Sequence, residues 1–238
     1  MKRLVTLAAV CVLGWSVAVE AQRGAPPAPA NARQAAPIDL TGYWVSVVTE
    51  DWKFRMVTPS KGELGGLPLN AEGQRVAKTW DPARDEAAGE QCRAYGAAAI
   101  MRVPGRLHVT WQDDNTLKID TDAGTQTRLL RFAAAPAPTE AAWQGHSVAQ
   151  WNRPGRSLKV VTTNMRPGYV RKNGAPYSNK AVLTEYFDLN TMPNGDQWLT
   201  VTTRIEDPVY FTRAFLTSSD FKKLPNATGW NPTPCSAR

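Results

Sequence analysis

Asp39-Leu40-Thr41-Gly42-Tyr43-Trp44-Val45-Ser46-Val47 decides how this chain is read. Tyr43, Val45 and Val47 alternate with Trp44, Ser46 and Val48, the two-residue period of a half-buried strand. A Gly, an aromatic residue and a Trp at the mouth of such a strand open many small closed β-sheets. The pattern recurs downstream. Leu107, Val109 and Trp111 alternate with His108 and Thr110, and Leu117 and Ile119 follow an Asp113-Asp114-Asn115 turn. Gly124 separates that strand from residues 125–132. Residues 158–163 are rich in β-branched residues and follow Pro154-Gly155. Residues 181–187 and 197–205 flank Asn194-Gly195, a hairpin signal because both residues tolerate positive φ. Residues 211–217 complete about nine strands joined by short turns, which predicts a mainly β fold: a single antiparallel β-barrel or barrel-like sandwich.

Near residues 70–90 the pattern changes to that of a short helical insertion. Asn70 can cap a helix running to Trp80, with Glu72 near the positive end of its dipole. Val76 and Trp80, four apart, would face the sheet. Asp81 can cap a second short helix with Pro82 in its first turn. Residues 133–142, rich in Ala and Pro, read as a loop between two halves.

Upstream of the first strand the chain reads as an export signal. Lys2 and Arg3 precede an apolar run from Leu4 to Val19, and Val19-Glu20-Ala21 fits the small-x-small rule for cleavage before Gln22. The run falls short of the roughly 20 residues that span a bilayer as a helix. An uncleaved anchor is the alternative. A lipoprotein would use Cys11, but Val10 is bulky where a small residue is wanted. Residues 22–37, rich in Ala and Pro, read as a disordered leader. The expected organisation is a signal peptide over 1–21, that leader, and one β-rich domain over 38–238. The mature protein is expected in the periplasm or secreted, with no membrane insertion after cleavage.

The chain carries 28 basic and 21 acidic residues, a net charge of +7. The cations are scattered, with a local cluster at Arg166, Arg171 and Lys172. No basic stripe or nucleic-acid motif is present, which argues against nucleic-acid binding. Without the leader two cysteines remain, Cys92 and Cys235. Far apart in sequence and in an oxidising compartment, they most simply form one disulfide that ties the C-terminal tail to the body. A catalytic thiol would want a nearby His, and neither cysteine has one in its local sequence.

Five blocks carry a resemblance: Leu40-Thr41-Gly42-Tyr43-Trp44, Gly145-His146-Ser147-Val148-Ala149-Gln150-Trp151, residues 157–164, Leu183-Thr184-Glu185-Tyr186-Phe187, and residues 206–213. In that order they resemble a family of secreted bacterial β-rich proteins of unknown function. Where that family has an acidic-Gly-acidic turn after the Trp, this chain has Asn152-Arg153-Pro154-Gly155-Arg156. The opening Gly-x-Trp also looks like the lipocalin signature. By analogy of architecture alone, that resemblance implies a lipocalin- or calycin-like barrel with an internal ligand cavity.

Few motifs carry chemistry. Gly145-His146-Ser147-Val148-Ala149 nearly spells a nucleophile elbow, but no His follows Ser147. Ser219-Asp220-Phe221-Lys222 has Ser-x-x-Lys spacing in a segment read as a loop. His108 and His146, the chain's two histidines, show no ligand spacing, so neither a metal site nor a cofactor is expected. His146 is the first choice for a general acid or base if the protein is an enzyme, and a turn residue otherwise. Glu185 sits among apolar residues. Turned inward it would have a raised pKa and could join His146; turned outward it is solvated. Residues 166–177 mix three cations with Tyr169 and Tyr177 between Gly and Pro, and read as a binding loop on a β scaffold.

The leading expectation is therefore a barrel binding a small amphipathic or anionic ligand. Trp44, His108, Trp111 and Trp151 would line it, and Arg166, Tyr169 and Arg171 would shape its rim. The second is a cofactor-free lyase, isomerase or hydrolase using His146 with Glu185 or Tyr169. The third is a module binding an extracellular polymer through exposed tryptophans.

Overall fold

A computed structural model describes residues 30–133, 135–152 and 154–238. The expected signal peptide and the first half of the leader lie outside these residues. Among the described residues thirteen strands form: β1 (Gly42–Val47), β2 (Arg106–Asp113), β3 (Thr116–Thr121), β4 (Ala123–Gly124), β5 (Gln126–Arg131), β6 (His146–Asn152), β7 (Ser157–Thr163), β8 (Gly168–Arg171), β9 (Ala175–Tyr177), β10 (Val182–Thr191), β11 (Gln197–Glu206), β12 (Phe215–Leu224) and β13 (Thr233–Pro234). Nine of them close into a barrel in the order β1-β12-β11-β10-β7-β6-β5-β3-β2.

The opening stretch closes the barrel as the alternation predicts. Tyr43 opposes both His108 on β2 and Leu224 on β12, so β1 bridges β2 and the last barrel strand. Asn194-Gly195 turns the β10–β11 hairpin, whose register runs from Val182↔Glu206 to Thr191↔Gln197. Gly195 has φ of +86°, the left-handed conformation that favours glycine.

The antiparallel expectation needs one correction. Strands β5 and β6 run parallel, pairing Leu130 with Ser147 and Arg131 with Val148. A parallel neighbour needs a crossover rather than a tight turn, and the Ala/Pro-rich loop supplies it. Two local expectations also change. His146 begins strand β6 instead of sitting in a turn, and Ser219 to Lys222 lie in β12 instead of a loop. Short polar runs in a barrel strand alternate with apolar residues, so composition alone misplaces them.

The barrel axis is filled by side chains. Trp44, Leu117, Ile119, Leu130, Leu158, Val160, Phe187, Leu199, Val201 and Phe221 form one buried cluster. Trp44 is fully buried and its indole N–H donates to Leu40 O at 2.9 Å. One barrel end is closed by Trp111, Phe132 and Trp151, with ring centroids 5.1–6.4 Å apart. Residues 30–37, expected as disordered leader, fold onto this end. Trp151 Nε1 donates to Ala32 O at 2.8 Å, and Arg33 N to Asp114 O at 3.0 Å. Backbone polar groups offered by the β2–β3 turn outweigh the low core-forming capacity of that stretch.

The insertion between β1 and β2 carries four short helices: α1 (Trp52–Arg55), α2 (Ala71–Ala77), α3 (Pro82–Ala87) and α4 (Ala97–Ile100). Capping follows the sequence. Asn70 Oδ1 accepts from Gly73 N at 2.8 Å, and Asp81 Oδ1 from Ala83 N and Arg84 N. Helix α2 ends at Ala77, short of Trp80, and buries Gly73 and Ala77. These small residues let the helix approach closely: a Cβ on Gly73 would lie 2.8 Å from Tyr210 O.

The loop conformation expected for residues 166–177 is corrected. They form the β8–β9 hairpin, and every residue of both strands is buried. Val170, Ala175 and Tyr177 join Leu69, Ala97, Ala98, Met165, Leu183, Ile205, Phe211 and Phe215 in a second core between the insertion and the barrel. The apolar members of the segment decide this, since their burial outweighs solvating its cations. Cys92 and Cys235 are joined by a disulfide. Among the described residues no helix is long and apolar enough to cross a membrane.

Candidate functional site

Helix α1, the segment around α4 and the β8–β9 hairpin border a half-open cavity of about 350 Å³ beside the barrel. Its walls carry Arg55, Arg102, Arg171 and Lys172, together with Phe54, Met56, Val57, Tyr95, Val103 and Val170. All three arginines are buried, at 5–8% exposure. That is unusual for guanidinium groups, and among the described residues only Arg102 of the three has a carboxylate partner.

Each arginine is held differently. Arg55 Nε donates to Arg102 O at 2.9 Å, while its two terminal nitrogens are buried without a hydrogen-bond partner. Arg102 donates to Thr217 Oγ1 and pairs with Asp51 at 2.9 Å. Arg171 reaches the carbonyls of Glu63 and Gly65 at 3.4 and 3.1 Å and stacks 4.0 Å from the Phe54 ring. Lys172 Nζ donates to the Tyr95 hydroxyl at 3.2 Å.

The backbone is committed to this arrangement. Asp51 precedes α1 in the left-handed region, with φ of +49°, and its carboxylate goes to Arg102 rather than to the helix amides. A non-glycine residue there is strained. Glu50 accepts from Ser218 N and Oγ at 2.7 and 2.8 Å, fixing the segment to β12.

The field in the cavity is positive. Burial, then repulsion from Arg102, lowers the pKa of Arg55, against opposition from Glu50, Asp51 and Asp220. The same two causes push Arg171 down to about 10, against Asp51 and Glu63. Both remain protonated at neutral pH. Buried, mutually repelling guanidiniums with free donors suit an anion, whose oxygens accept two parallel N–H bonds.

Of the residues singled out from sequence, Arg171 and Lys172 line this cavity, and the other candidate site residues lie elsewhere. Tyr169 donates to Asp85 at 2.8 Å, beside an Arg93–Asp85 ion pair at 2.9 Å. Burial, then the bond to Asp85, pushes the Tyr169 hydroxyl up to about 12. Arg166 pairs with Glu90 at 2.6 Å and lies 4.1 Å from the Trp143 ring. His108 stacks on Tyr43, centroids 4.0 Å apart, with Trp230 at its edge. Trp44 fills the barrel, and Trp111 and Trp151 close its end.

The proposed acid–base set is not linked by hydrogen bonds. Glu185 points inward, but both its oxygens are taken by Arg128. His146 is buried with neither ring nitrogen hydrogen-bonded. It alternates with Ser147, Ala149 and Trp151, so it faces away from the barrel interior where Glu185 lies.

Sequence reasoning missed Arg55 and Arg102. Two signals mark them. Trp52-Lys53-Phe54-Arg55-Met56 interleaves aromatics with cations, and Arg102 follows the apolar run Ala97–Met101. An arginine at the end of such a run cannot stay fully exposed. Compared with known proteins, the chain matches no family model, and no curated protein or solved structure is significantly similar to it.

Proposed function

We propose that this is an exported protein that binds a small anionic or amphipathic molecule in the arginine cavity beside its barrel. Arg55 carries the reading: a buried guanidinium lining a cavity, with two terminal nitrogens unpartnered. A buried donor left unpaired costs about 1–3 kcal/mol, more when charged. A bound carboxylate, phosphate or sulfate removes that cost. Phe54, Met56, Val57, Val103 and Val170 give an apolar moiety a wall to lie on. In this reading the ligand sits beside the barrel rather than inside it, because side chains fill the barrel axis. Export is supported by the Lys2-Arg3 start, the apolar run that follows it and the disulfide.

Calorimetric titration with octyl phosphate, octanoate and octyl glucoside tests the reading. The two anions should bind, and the glucoside at least about tenfold more weakly. Arg55→Met should lower octyl phosphate affinity by about tenfold or more, with the fold checked by circular dichroism. Equal binding of the glucoside, or an unchanged affinity in Arg55→Met, overturns it.

A further inference from the structure

The rim of the arginine cavity is apolar and exposed. Trp52, Met56 and Val57 stand 68%, 60% and 69% exposed. Trp52 and Met56 are one helical turn apart, linked by Met56 N to Trp52 O at 2.9 Å. Met56 and Val57 belong to the cavity wall itself. Lys53 and Lys61 lie exposed in the same segment, with Glu63 2.6 Å from Lys53. The segment is anchored on the barrel by Asp51 to Arg102, Glu50 to Ser218 and Thr49 to Asp220. The apolar side chains therefore project from a fixed base.

This grouping matches the chemistry of a lipid–water interface. Indole rings settle at headgroup depth. Lysines and arginines are drawn to anionic headgroups. Aliphatic side chains enter the acyl boundary. The net charge of +7 acts in the same direction. We infer that the protein docks peripherally on an anionic phospholipid surface by this rim, with a headgroup phosphate seated against Arg55 and Trp52, Met56 and Val57 set into the interface. The inference rests on the anion-binding reading of the same cavity and specifies where its anion comes from.

Co-sedimentation of the protein with phosphatidylcholine vesicles, with and without phosphatidylglycerol, tests it. Only vesicles containing phosphatidylglycerol should carry the protein down. A Trp52→Ser variant should lose vesicle binding by on the order of tenfold, yet bind octyl phosphate in solution like the unaltered chain, because Trp52 stands outside the cavity wall. Arg55→Met should lose both. Octyl phosphate binding without vesicle binding overturns the docking and leaves the cavity's role intact. Absence of both in the unaltered protein overturns both proposals. Vesicle binding unchanged in Trp52→Ser also overturns the docking. So does a dimer, without vesicle binding, that Trp52→Ser dissociates in ultracentrifugation, which would make this face a contact between two copies.

Discussion

Arg128 and Glu185 meet inside the barrel through two N–H···O contacts of 3.0 and 2.5 Å, with neither side chain exposed to solvent. Ile119 is the cross-strand partner of Arg128, and Val160 and Thr203 flank Glu185. The pair is thus an ionic cross-link between β5 and β10 through an otherwise largely apolar interior. Such a pair adds little over a well-packed apolar substitute, but breaking it leaves a bare charge in a medium that cannot solvate it.

Arg128→Met or Glu185→Leu alone should therefore destabilise the fold by about 3–5 kcal/mol. The double variant should recover most of that loss. Urea denaturation of the four proteins at neutral pH checks this as a double-mutant cycle.

The disulfide closes a loop across 143 residues of sequence. Beside it, β13 pairs with β4, and Thr233 N donates to Asp122 O at 2.8 Å. Replacing both cysteines by serine should cost about 2–5 kcal/mol. It should also make the tail beyond residue 226 the first site of proteolysis. Thr233 and Tyr95 line the arginine cavity near the two ends of this tether, so octyl phosphate binding should weaken in parallel.

Gly174 turns the β8–β9 hairpin with φ of +82°, and a Cβ there would fall 2.2 Å from the Cβ of Trp80. Strain in the left-handed region and overlap with Trp80 each cost on the order of 1–3 kcal/mol. Gly174→Ala should lower the unfolding free energy by about that combined amount, read from urea denaturation. Because the same turn carries Arg171 and Lys172, the variant should bind octyl phosphate less tightly even where it remains folded.

Tyr169 gives the fold an alkaline limit. Its pKa is raised from 10.0 to about 12, by burial first and then by the bond to Asp85. The folded state keeps a proton that the unfolded chain releases. This contribution is fully present below pH 10 and is lost as pH rises toward 12. Arg171, shifted the other way, opposes the trend over an overlapping range. The comparison of wild type with Tyr169→Phe isolates the tyrosine: their stability difference should be flat up to about pH 9.5 and change above it. A difference independent of pH from 8 to 12 would refute the assignment.

Much of the fold was legible because its signals are local. Alternation at Tyr43–Val47, Leu107–Trp111 and Leu117–Ile119 follows directly from one face being buried. Asn70 and Asp81 cap helices through side chains that reach amides two or three residues away. Asn194-Gly195 encodes its turn in backbone preference. The parallel β5–β6 seam was not legible, because the residues that pair there carry no mark of strand direction. Nor was the site. Arg171 was named for its charge, but Arg55 and Arg102 lie far from it in sequence, and they are held by each other and by β12.

By itself the sequence determined a strand-rich chain that starts its barrel at Gly42, a capped insertion near residue 70, and two cysteines available to pair. These depend on each residue's own propensity and near neighbours. Long-range packing made the barrel interior solid, brought Glu185 to Arg128, and gathered three arginines around one cavity. Those outcomes depend on which side chains compete for the same space and the same counter-charge, and that competition exists only once distant segments are packed together.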